Sequence, residues 1–220
     1  MPEKLSVLIT GATGVAGSGV LAACLNHPEV EKVSSLTRKS TGIKNEKLHE
    51  IIHADFLDYS KIENQLSGHN ACFWCLGTPI LKIRKEEDYH RVTYEFTMEA
   101  AKVLEKLNPG MVFCYLSAMG SDETQNSRMM AVRIKGKAES GLGNYNFKLF
   151  KFRPGLINPV KGHKGGAAMA KLIYPFIKNS QKYCVEAEEM GVAMINAALF
   201  GSEKKNLENR DIRKLAKSKK

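Results

Sequence analysis

Short apolar runs alternate with longer mixed segments along this chain. Strands are predicted at Leu5–Thr10, Lys32–Thr37, Leu48–His53, Ala71–Leu76, Met111–Leu116 and Phe147–Phe152. Between them, apolar positions recur at helical spacing over Val15–Leu25, Leu57–Leu66, a segment from Asp88 to about Leu107, and Ser127–Glu139. Further helices are expected over Gly165–Ile177 and Glu186–Phe200, with a short strand around Lys182–Val185. The first, fourth and fifth strands are almost wholly apolar, as strands buried on both faces must be. Strand and helix taking turns in this way predicts an α/β fold, a doubly wound parallel sheet of Rossmann type.

The 220 residues suit one domain, with 154–220 contributing the substrate side and a basic tail expected to fray after Asp211. Hydrophobic residues make up 43% and charged residues 25%, ordinary values for a globular chain with a full core. The formal charge is +10, but the cations are scattered apart from the tail and Lys82, Arg84 and Lys85. No nucleic-acid motif accompanies them, so nucleic acid is not the expected partner. No apolar run approaches the roughly 18 residues needed to span a bilayer. The five cysteines are odd in number, and Met1–Leu5 runs directly into a strand without space for a secretory h-region. A reducing, cytoplasmic setting with free thiols is therefore expected.

Gly11-Ala12-Thr13-Gly14-Val15-Ala16-Gly17 stands between the first strand and the first helix. Glycines at this spacing permit a tight turn and close approach of a pyrophosphate, which the helix N-terminus attracts with free N–H groups. Gly11, Thr13, Gly14, Val15 and Gly17 are thus candidate cofactor contacts. At the end of the second strand an NAD site wants an acidic residue for the ribose 2′-hydroxyl. This chain has Arg38-Lys39, the charge that suits a 2′-phosphate, and the expected cofactor is NADP(H). Asp55-Phe56, closing the third strand, are placed to meet the adenine. Gly77-Thr78, after the fourth, would let the backbone pass the cofactor ribose.

These features, together with Cys75-Leu76-Gly77-Thr78, Leu116-Ser117, Lys135-Gly136, Phe152-Arg153-Pro154-Gly155 and Leu207-Glu208-Asn209-Arg210, extend over nearly the whole chain. The chain resembles an atypical short-chain dehydrogenase/reductase, similar to the Tat-interacting protein family of NADPH-binding, oxidoreductase-like proteins. The resemblance implies that Leu76, Arg153 and Pro154 join the cofactor contacts. It also implies a catalytic Ser at the end of the fifth strand and a Tyr-x-x-x-Lys pair on the following helix. There the tyrosine protonates a carbonyl oxygen, and the lysine binds the nicotinamide ribose and lowers the tyrosine pKa. Ser117 and Lys135 match, and both are candidate catalytic residues. Four positions before Lys135 stands Ala131, which has no acidic proton. Tyr89, Tyr94 and Tyr115 are the candidates to replace it, although Tyr115 lies inside a strand and reads as core.

Cys72-Phe73-Trp74-Cys75 has the spacing of a redox pair, but odd separation within a strand puts the thiols on opposite faces. No histidine stands in a metal-binding pattern, and no metal is expected. Met129 and Met130 fall near the substrate mouth. Gly155–Gly166, with Pro159, Gly162 and two adjacent glycines, has the composition of a mobile lid. Two functions follow: slow NADPH-dependent reduction of a small carbonyl substrate, or an inactive NADP(H) sensor acting on a protein partner.

Overall fold

The computed structural model describes residues 4–79, 85–160 and 182–218. Its main sheet has seven parallel strands in the order β3-β2-β1-β4-β5-β6-β9. These are β1 (Leu5–Thr10), β2 (Val30–Thr37), β3 (Leu48–Ile52), β4 (Ala71–Trp74), β5 (Val112–Leu116), β6 (Lys148–Arg153) and β9 (Asn206–Glu208). A small parallel pair, β7 (Leu156–Asn158) and β8 (Cys184–Glu186), stands apart from it.

Alternation along the central strands sorts side chains into two layers. Val7, Ile9, Phe73 and Cys114 face α1 (Val15–Asn26) and α6 (Ala187–Phe200). Leu8, Trp74, Phe113 and Tyr115 face α2 (Glu63–Leu66), α4 (Phe96–Leu107) and α5 (Met130–Leu142). β1, β4 and β5 are buried at every position, as two covered faces require. The strand order reverses between β1 and β4, and their C-terminal ends open the crevice where ligands of such sheets bind.

Several elements differ from expectation for local reasons. The helix expected over 57–66 contracts to α2, because Asp55 and Asp58 accept from the backbone N–H groups of Leu57 and Ser60, both at 2.9 Å. Such bonds divert the chain into turns. The helix expected from Asp88 starts as α3 (Glu86–His90) and passes through a π-helical turn, Arg91–Glu95, into α4. α5 begins only at Met130, since the Asp122 carboxylate holds the Ser127 N–H at 2.8 Å in the preceding loop.

The tail does not fray: Asn209–Lys217 forms α7. A reciprocal capping box between Glu208 and Asp211 fixes its start, and Ile212 is fully buried beneath it. The helix expected over 165–177 and the second half of the expected lid, 161–166, lie outside the described residues.

Candidate functional site

Gly11 closes β1 with φ +67°, and a Cβ there would lie 2.4 Å from the Cys75 carbonyl oxygen. Only glycine lets the ends of β1 and β4 approach this closely. The Gly14 N–H donates to Gly11 O at 2.8 Å, and Gly14 is the N-cap of α1 without a side-chain capping bond. The helix therefore presents its first turn of amides to the crevice uncovered by a cap side chain. Val15 opens α1 half-buried, and Gly17 is buried in its first turn.

A cleft of about 440 Å³ lies over this turn, lined by Gly11, Thr13, Leu36, Thr37, Arg38, Lys39, Phe56 and Leu76. Six of these eight were singled out in the sequence; Leu36 and Thr37, the last residues of β2, were not. Arg38 and Lys39 are exposed, and neither forms an ion pair among the described residues. Phe56 contributes from the floor, since its ring is 2% exposed and stacks on Phe96 at 5.6 Å. Asp55 is exposed and does not line the cleft, its carboxylate being turned onto the Leu57 N–H.

Beyond β4 the chain runs through Gly77 and Thr78 towards α5. A Cβ built on Gly77 would stand 3.9 Å from Lys135 Nζ, so the fourth-strand turn and the α5 lysine meet. Lys135 is 7% exposed and donates to the Leu116 carbonyl at 2.7 Å. Its ammonium also sits 4.8 Å from the centre of the Tyr115 ring. Burial pushes the Lys135 pKa down to about 8, against the opposing pull of Cys75 and Glu139. Ser117, one residue beyond β5, bonds Ser121 Oγ at 2.8 Å. The Ser121 hydroxyl donates to Ala118 O, which leaves Ser117 the donor in that pair. Gly136 lets this loop close on α5, because a Cβ there would be 1.9 Å from Asp122 O.

Ala131 is 9% exposed and packs in one cluster with Tyr89 and Ile134. Tyr115 is fully buried in the α4–α5 layer, and burial raises its hydroxyl well above the usual range. Tyr94 carries the Lys137 ammonium over its ring at 4.4 Å, and Met129 is exposed at the start of α5.

Arg153 stands differently from its expected role as a cofactor contact. Its Nε donates to Glu139 Oε1 at 3.0 Å, its second terminal nitrogen bonds Glu139 and Glu123, and its first lies 3.7 Å from Glu208. The guanidinium is committed to three carboxylates. Glu139, fully buried one turn beyond Lys135, is its main partner and was not singled out in the sequence. The i, i+4 spacing from Lys135 was the available signal. Pro154 is buried and accepts from the Met119 N–H at 2.9 Å, bracing the serine loop from behind. Cys72 and Cys75 fall in opposite layers, and all five cysteines are buried and free.

A model of the NAD dependent epimerase/dehydratase family matches residues 7–130, more than half of the chain, from within β1 to the first residue of α5. The chain belongs to this family. Protein FMP52-2, mitochondrial, of Scheffersomyces stipitis is 31% identical over 151 residues, 68% of this chain and 65% of that protein. Protein HTATIP2 of Rattus norvegicus is 27% identical over 159 residues, 70% of this chain and 64% of that protein. The chain thus aligns with just under two thirds of the length of these two relatives. The resemblance to Tat-interacting proteins and the Rossmann-type sheet both stand.

Solved structures share the fold. The Bordetella bronchiseptica enzyme WbmF, in complex with NAD+, superposes with TM-score 0.68 at 11% identity, covering 96% of this chain and 77% of that one. UDP-glucose 4-epimerase of Thermotoga maritima, with UDP-glucose, gives 0.66 at 15% identity, over 88% of this chain and 73% of that one.

The cytoplasmic expectation is overturned. FMP52 relatives from Scheffersomyces stipitis, Candida albicans, Candida glabrata and Chaetomium globosum are all named mitochondrial. A secretory h-region bears on secretion alone, so the expectation drawn from Met1–Leu5 could not separate cytoplasm from organelle. No helix among the described residues is long and apolar enough to cross a membrane.

Proposed function

We propose that this member of the family is an NADP(H)-binding oxidoreductase that slowly reduces a small carbonyl substrate. One observation carries the choice of NADP(H): the exposed cations Arg38 and Lys39 rim the cleft, at the strand end where an NAD site wants a carboxylate. Gly11, Thr13, Gly14, Val15 and Gly17 receive the pyrophosphate on the α1 amides, and Leu76, Gly77 and Thr78 border the ribose. Phe56 floors the adenine end, with Asp55 exposed beside it outside the cleft lining. The fit rests on features of this chain: an uncapped helix start, a glycine seam that a Cβ would fill, and two cations that form no ion pair among the described residues.

When bound, the nicotinamide supplies a hydride. The chain's own part is to hold the acceptor carbonyl near Ser117 and Lys135 and to exclude water around them. A hydroxyl acid one turn before Lys135 is missing, and losing such a donor typically removes about 10²–10⁴-fold in rate. That loss is why the activity is read as slow.

The burial of Ala131 beneath Tyr89 favours a second reading, an NADP(H) sensor that works through a protein partner without turnover. Calorimetric titration with NADPH and NADH, followed by absorbance at saturating NADPH with a panel of aldehydes and ketones, tests both. NADPH binding well ahead of NADH with measurable oxidation supports the reductase. Binding without oxidation supports the sensor, and equal affinity for the two nucleotides would sink the assignment of Arg38 and Lys39.

A further inference from the structure

We propose that Lys135 itself, through Nζ, delivers the proton to the substrate oxygen in place of the absent tyrosine. The proposal rests on the reductase reading above and deepens it by naming the acid.

Two of the three candidate tyrosines, Tyr115 and Tyr89, are buried in packing. The Tyr115 ring lies beneath the ammonium, and its hydroxyl is buried without a hydrogen-bond partner among the described residues. The Tyr89 ring is 3% exposed and packed on Ala131 and Ile134. Burial raises both phenols, so neither yields its proton readily.

Lys135 is the opposite case. Its ammonium is buried, yet it forms no ion pair among the described residues. An ammonium carries three N–H donors, and one is taken by Leu116 O. Nζ also lies close to Gly77, 3.9 Å from where a Cβ would stand, and Gly77 is exposed just beyond the end of β4. A buried cation whose remaining donors meet no acceptor among the described residues is costly unless a ligand meets it. The groups that face it are Cys75 from the end of β4, Tyr115 from β5 and Glu139 from the next turn of α5, whose charge Arg153 already neutralises. Desolvation outweighs Cys75 and Glu139 and brings the amine to about 8, close to the pH at which proton donors work best.

The step balances. The carbonyl carbon gains the hydride from the reduced nicotinamide dinucleotide, and the π pair of the C=O bond moves to oxygen. An O–H bond forms as one Nζ–H bond breaks, with that pair staying on nitrogen. The products are an alcohol, the oxidised dinucleotide and a neutral Lys135 amine, which takes a proton back from water.

The test uses the full chain. Competitive acetylation with acetic anhydride between pH 6 and 11, read by mass spectrometry on the peptide holding Lys135, reports the amine directly and needs no variant. The expected midpoint is about 8, against roughly 10.4 for surface lysines. Lys135→Arg keeps the charge but cannot give up a proton near neutral pH. It should hold NADPH while turnover falls by about 10²–10⁴-fold. A midpoint near that of surface lysines, unchanged turnover in Lys135→Arg, or NADPH binding by the unaltered protein with no turnover across the panel would each overturn Lys135 as the acid. All three leave the NADP(H) reading standing. Failure of the unaltered protein to bind NADPH overturns both.

Discussion

Tyr89 of α3 and Ala131 of α5 share one buried cluster, so a ring from the neighbouring element packs against the position where the resemblance expects a tyrosine. Ala131→Tyr would not simply restore the family's acid, because Tyr89 and Ile134 already fill the adjoining space. Overpacking of this kind costs about 1–3 kcal/mol. The single variant should lose that much stability and gain no turnover. Ala131→Tyr combined with Tyr89→Ala should recover most of the stability and raise kcat on carbonyl substrates. Denaturant midpoints and kcat over the double-mutant cycle check this, and strict additivity would show that the two residues do not compete for space.

Arg38 and Lys39 should set nucleotide choice. A charge-assisted hydrogen bond to a phosphate contributes about 1.5–3 kcal/mol, roughly 10- to 100-fold in affinity. Arg38→Ala should weaken NADPH by that factor and leave NADH nearly untouched. Calorimetry with both nucleotides measures the ratio, and equal losses would place the 2′-phosphate elsewhere.

Much of this site was legible because its determinants are local. The glycines of 11–17 answer a backbone demand of a single turn, Arg38 follows directly from the end of β2, and the Ala131 gap is read from one helical turn. What escaped depended on residues distant in the chain. Arg153 reads as a free cation until Glu139, Glu123 and Glu208 converge on it from a helix, a loop and the last strand. β7 and β9 have three residues each, too few for a period to show. The tail helix left a signal that charge obscured: Glu208 and Asp211 at capping-box spacing, followed by Ile212. Asp55 stands outside the cleft lining because the neighbouring Leu57 N–H holds its carboxylate, a local turn that strand periodicity does not show.

The reassignment of Arg153 makes a prediction that runs against a cofactor role. Arg153→Ala strands the fully buried Glu139 carboxylate. Breaking one side of a buried pair costs about 3–5 kcal/mol. Stability to urea should fall by that amount, while NADPH affinity at a temperature where the variant stays folded should be unchanged. A selective loss of NADPH binding with stability intact would return Arg153 to the cofactor.

Lys135 should leave its mark on stability as well as on chemistry. Its folded pKa of about 8 lies below the ordinary lysine value, which is roughly 10.4. Between those two limits the unfolded chain binds more protons than the native one, so this residue makes stability rise with pH across that window. Below it the full cost of the buried charge is present; above it the cost is gone. At 1.36 kcal/mol per pKa unit the change is about 3 kcal/mol. Lys135→Met removes the charge and with it the pH dependence. Loss of the bond to Leu116 O offsets the variant's stability by an amount that does not change with pH. The quantity to follow is therefore the difference in unfolding free energy between the two proteins, taken by urea titration at pH 7 and at pH 10.5. That difference should shift by about 3 kcal/mol in favour of the unaltered protein at the higher pH. Curves that stay parallel would mean that the ammonium is hydrated in the native state and Lys135 titrates as a surface lysine does.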